Sequence, residues 1–76
     1  MKTRNEIIEI IKKGVTEDLD IEITATRKSD NYKTNLLTIL GNSDSVESYI
    51  SEMDEEIHNL IEFSKWEIIG FEYKID

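Results

Sequence analysis

Between residues 43 and 64, apolar side chains return at every third or fourth position: Val46, Tyr49, Ile50, Met53, Ile57, Leu60 and Ile61. At about 100° per residue these positions gather into one stripe, so the spacing predicts a long amphipathic helix with that stripe as its core face. Asp44 followed three residues later by Glu47 marks its start. At that spacing an N-cap side chain and the third helical residue satisfy each other's backbone N–H groups, and Ser43 is the competing cap. A shorter amphipathic helix is expected over residues 3–13. There Ile7, Ile8, Ile10 and Ile11 fall on one side and Arg4, Glu6, Glu9, Lys12 and Lys13 on the other. Thr3 and Glu6 repeat the capping-box spacing, and Gly14 follows as a left-handed C-cap.

The pattern changes to period two after a polar link at 15–18. Over residues 19–26, Leu19, Ile21, Ile23 and Ala25 form the inner face of a strand, and Asp20, Glu22, Thr24 and Thr26 the solvent side. Ser29-Asp30-Asn31 is a turn signal, and a second strand over 32–40 completes a hairpin before Gly41-Asn42 breaks it. That second strand is apolar on both sides near its end. A third strand is expected over 66–75, with Ile69, Phe71, Tyr73 and Ile75 on one face, Trp66 and Ile68 on the other, and Gly70 marking a bulge or a close approach.

The element order is thus α-β-β-α-β, a single small α+β domain over residues 1–76. Two helices on one face of a three-stranded sheet favour antiparallel pairing, because parallel sheets are usually covered on both faces; the expected strand order is 2-1-3. In that arrangement Leu36, Leu40, Trp66 and Ile68 fall on the sheet face away from the helices. Together they would form an apolar patch of the kind that marks an interface, so self-association into a homo-oligomer is expected there.

Composition narrows the function more than the fold. Seventy-six residues bury only about 60% of the unfolded chain's surface, one small core. The absence of cysteine removes disulfides, thiolate metal sites and cysteine catalysis, and fits a cytoplasmic location. No apolar run approaches the roughly 18–20 residues of a membrane span, and the N-terminus lacks a signal peptide's apolar segment, so no membrane association is expected. Thirteen isoleucines, one alanine and no proline fit the codon drift of an AT-rich genome, as in low-GC bacteria and their phages.

The net charge of −8 argues against direct nucleic-acid binding, since contacts to phosphate are made by lysine and arginine. Seven acidic residues and no lysine or arginine lie from Asp44 to Glu62, so the long helix carries nearly all of that charge. Glu47, Asp54, Glu55 and Glu62, with His58 among them, are therefore the expected contact surface for a protein partner with a basic surface. Seven charges over nineteen residues is also about one per 4 Å of helix, near the ~3.4 Å per phosphate of one DNA strand. The alternative functions are accordingly a nucleic-acid mimic that inhibits a nucleic-acid-binding host enzyme, or a self-associating structural module. Small acidic phage proteins that inhibit host defence enzymes resemble this chain in size and charge, a resemblance of class alone.

Enzymatic activity is not expected. His58 has Asp54, Glu55 and Glu62 within helical reach, but a zinc site needs three or four ligands with supporting partners, which one helix face does not supply. The carboxylates have no pocket to set two of them in different environments, and Ser43, Ser45, Ser48 and Ser51 have no second histidine to draw on. Gly41-Asn42-Ser43 lacks the length and the lysine of a phosphate-binding loop. No metal and no cofactor is expected.

Overall fold

The Thr3 capping box starts the first helix as its spacing predicts. The Glu6 N–H donates to Thr3 Oγ1 at 3.2 Å, and the Thr3 N–H donates to Glu6 Oε1 at 2.9 Å. The structure, a computed structural model, describes every residue from Met1 to Asp76. Helix α1 (Arg4–Thr16) continues past Lys13, so Gly14 is a buried interior residue and not the C-cap. A Cβ at Gly14 would lie 2.8 Å from Ile21 Cδ1 and 3.5 Å from Ile39 Cγ2, so the missing side chain lets the helix lie close on the sheet. The left-handed residue is Asp18, with φ 56°, and the Leu19 N–H donates to the Gly14 C=O at 2.8 Å, the long bond of a Schellman ending.

Strands β1 (Asp20–Arg27), β2 (Lys33–Leu40) and β3 (Ile68–Ile75) form an antiparallel sheet in the order β2-β1-β3, as the one-sided helix cover implied. Ile21 and Ile23 pair with Ile39 and Leu37, and the register then slips so that Thr24 faces Asn35 and Leu36 has no partner. A slip of one residue reverses the alternation, so Leu36 and Leu37 both turn inward. This bulge is the physical reason for the two-sided apolar run in β2.

A second slip lies in β3. Phe71 pairs with Ala25 and Gly70 with Thr26, but Ile68 pairs with Arg27, leaving Ile69 over. Ile68 thereby packs against the core cluster, while Ile69 is exposed. Gly70 makes a close approach as well: a Cβ there would be 2.9 Å from Met1 Sδ. The neighbouring residue Lys2 bridges to Phe71 through two backbone hydrogen bonds of 2.7 and 3.0 Å, covering part of the outer edge of β3.

Both helices cover the face that carries Ile21, Ile23 and Ala25. Helix α1 contributes Ile7 and Ile11, and α2 (Val46–Glu62) contributes Tyr49 and Met53, to one core with the inner faces of β1 and β2 and with Phe71. The opposite face is polar. It carries Glu22, Thr24, Asn35, Thr38, Glu72 and Lys74 in register, with Lys33 Nζ bonded to Glu72 Oε1 at 3.1 Å and to Thr26 Oγ1 at 3.3 Å.

The expected apolar patch on that face is therefore absent. The bulges turn Leu36 and Ile68 inward, and Trp66 precedes β3 and is 9% exposed within the core cluster. Of the four residues assigned to self-association only Leu40 is exposed, at 57%.

The start of α2 also differs from the expected cap. Ser43 closes a 3-10 turn (Gly41–Ser43) and its hydroxyl is engaged by the Tyr49 hydroxyl at 2.6 Å. Asp44 is extended and accepts from the Ser45 N–H at 2.8 Å. Ser45 is left as the cap, its Oγ accepting from the Ser48 N–H at 3.1 Å.

Candidate interaction surface

Helix α2 presents two surfaces to solvent, one acidic and one apolar. The acidic one follows from its helical phase: with Tyr49 and Met53 buried, Glu47, Glu52, Glu55, Glu56 and Glu62 fall outside the core stripe, and all five are exposed. None of them has a cationic partner. The six ion pairs of the molecule are Lys2–Glu6, Arg4–Asp54, Lys12–Glu9, Arg27–Asp30, Lys28–Glu67 and Lys33–Glu72, and only one reaches α2.

That one pair removes Asp54 from the free acidic set. Arg4 Nε donates to Asp54 Oδ1 at 2.8 Å and Arg4 Nη2 to Oδ2 at 2.6 Å, a two-point brace between the start of α1 and the middle of α2. The guanidinium hydrogen bond holds the Asp54 carboxyl below its ordinary value, and the carboxylate raises that of Arg4. Asp54 thus joins two helices, which its sequence position on the polar flank did not reveal. The signal was fifty residues away in Arg4.

His58 is exposed, and its ring stands edge-on to Phe63, with centroids 6.3 Å apart and planes at 88°. No three of the histidine, aspartate and glutamate side chains converge to hold a metal ion. Among the sequence-assigned contact residues, the structure leaves Glu47, Glu55, His58 and Glu62 on the outer surface and ties Asp54 down.

The apolar surface lies beside the acidic one. A groove of about 290 Å³ opens between the C-terminal half of α2 and the first residues of β3, closed at one end by residues 1–3. Ile57 and Ile61 form one wall and Ile68, Ile69 and Phe71 the other, with Met1 at the rim. Ile61 is 50% and Ile69 45% exposed. Sequence reasoning placed Ile61 in the core stripe and did not see the groove, which depends on the β3 slip and on where residues 1–3 lie.

A third cluster joins elements without offering a site. Arg27 stacks on Tyr32 and Trp66, its guanidinium carbon 5.2 and 5.0 Å from the ring centroids, and the two rings meet edge to face at 6.0 Å. Arg27 also makes a two-point pair with Asp30, at 2.9 and 2.7 Å, which lowers the Asp30 carboxyl to about 2. The Lys28 N–H donates to the Glu67 C=O at 2.7 Å. These bonds fix the tip of the β1–β2 hairpin to the start of β3.

No helix is long and apolar enough to cross a membrane. Comparison with protein-family models, with curated proteins and with solved structures finds no match.

Proposed function

We propose that this chain is a cytoplasmic, non-enzymatic binding protein that meets a basic surface of another macromolecule with the outer face of α2. One observation carries the reading. Six of the nine lysine and arginine side chains are in ion pairs, only one of which reaches α2, and five of the eleven acidic side chains outside those pairs are the exposed glutamates of this one helix, which carries no lysine or arginine. Charge needed only for solubility has no reason to be gathered on one element and left uncompensated there, whereas a face that steers a cationic partner gains from both.

Glu47, Glu55 and Glu62, with His58 between them, form the contact. Asp54 supports it by holding α2 against α1. The test is affinity capture from host lysate with two baits, the native chain and the Glu47→Gln, Glu55→Gln, Glu62→Gln variant. A partner retained by the first and lost by the second supports the reading, and identical retention refutes it. Competition by DNA or RNA for that partner marks the interaction as nucleic-acid mimicry, in line with the charge spacing along the helix.

A further inference from the structure

We infer that the groove between α2 and β3 is the specificity pocket of this surface, and that its occupant is a basic amphipathic polypeptide segment seating a large apolar side chain between Ile61 and Ile69. The inference rests on the acidic-face reading and goes beyond it, since it states what the partner carries besides positive charge.

A cavity of roughly 150 Å³ accepts benzene, so a groove of about 290 Å³ holds one large side chain and part of a neighbour. It falls just below the roughly 300–1,000 Å³ typical of small-molecule sites. Its long walls are aliphatic and aromatic, and its two polar lining side chains, Lys2 and Thr3, lie at the end formed by residues 1–3, where both are already engaged by Glu6. Aliphatic walls and an open mouth suit the anchor residue of a protein segment.

Charge decides the occupant. At about 100° per residue, Ile57, Ile61, His58, Glu62 and Glu55 succeed one another around α2 from the groove to the outermost surface. The rim of the groove therefore passes directly into the unpaired acids. Lys2 lines one end of the groove and is paired with Glu6, Arg4 is held by Asp54, and the remaining positive groups near the groove in sequence, the Met1 ammonium and Lys65, are outnumbered by the five unpaired glutamates of α2. A second copy of this chain would bring two uncompensated acidic faces together, and a nucleic acid would set phosphates against carboxylates, both of which are repulsive. A segment with an apolar anchor flanked by lysine or arginine satisfies both surfaces at once.

Two synthetic peptides test this: a short Lys/Arg-rich peptide with two leucines one helical turn apart, and the same peptide with both leucines replaced by alanine. Each is titrated into the isotopically labelled protein while the isoleucine δ1-methyl signals are followed. The expected result is that the leucine peptide binds about tenfold or more tightly than its alanine counterpart. It shifts Ile57, Ile61, Ile68 and Ile69 and leaves Ile21 and Ile39 in place. An Ile61→Ser, Ile69→Ser variant should lose that advantage, and Glu55→Gln with Glu62→Gln should weaken both peptides. Equal affinity of the two peptides, with glutamate-dependent binding, overturns the groove and leaves the acidic face standing. No binding of either peptide at low salt overturns both. The alanine peptide and the methyl shifts keep the test decisive even where the double isoleucine variant folds poorly.

Discussion

Replacing Gly14 by alanine sets helix propensity against packing, and the structure says how the contest ends. Alanine in a helix interior is favoured over glycine by about 1 kcal/mol. The new methyl would lie 2.8 Å from Cδ1 of Ile21, a fully buried residue, and overpacking of that kind costs about 1–3 kcal/mol. Gly14→Ala should therefore range from neutral to a loss of about 2 kcal/mol. Ile21→Val removes the clashing atom itself and alone costs about 0.5–1.5 kcal/mol. In the double variant the alanine methyl takes up the vacated space, so its stability should return to within about 0.5 kcal/mol of the native chain. The coupling between the two sites is then about 1–3 kcal/mol, well above the ~0.3–0.5 kcal/mol scatter of independent sites. Urea denaturation of the four proteins, with slopes checked for constancy, measures it. Additive effects, or a single Gly14→Ala variant stabilised by the full propensity gain, would refute the close approach of α1 to the sheet.

Lys65 is held at φ 57°, a left-handed conformation that costs a side-chain-bearing residue about 1–2 kcal/mol. Lys65→Gly should therefore stabilise by about 0.5–1 kcal/mol after glycine's entropy, raising Tm by roughly 2–8 °C in a thermal melt; no change would mean that the turn is not left-handed. Asp30, Asp54 and Glu6 all have carboxyl pKa values lowered in the folded chain. Their contribution to stability is complete above the unfolded carboxylate value near 4 and is lost as pH falls toward the folded values, about 2 for Asp30. Tm should thus be flat from about pH 7 to 5 and drop between about pH 4 and 2, with a shallower drop in Asp30→Asn. Zinc or calcium should leave thermal stability unchanged apart from weak screening of α2; a saturable, stoichiometric rise abolished by His58→Ala would contradict this.

The element order and the strand order were legible because each rests on a local pattern or a layer rule. The stripe Val46 to Ile61, the alternation from Leu19 to Ala25 and the Thr3–Glu6 spacing are all read within one element, and β1 as the central strand follows from helices covering one face. What the pattern misplaced depended on single-residue slips. An extra residue at Leu36 and another at Ile69 reverse which side chains face the core; Gly70 and the two-sided apolar run of β2 hinted at both, but neither says at which residue the alternation slips. The acidic face was legible as charge on a helix, while the Arg4 brace on Asp54 and the groove beside Ile61 were not, because both join segments far apart in sequence. Gly14 carries the same lesson. Its position one residue after a lysine-rich turn resembles a helix end, and only the packing of α1 on Ile21 shows that it serves a close contact.

The salt dependence of binding to the captured partner reports whether the outer face of α2 is the contact. Affinity is measured over a series of salt concentrations for the native chain and for the Glu47→Gln, Glu55→Gln, Glu62→Gln variant. The native chain should lose affinity steeply with salt, and the variant should bind more weakly with a shallower slope. Equal affinities and equal slopes for the two proteins would contradict contact through that face.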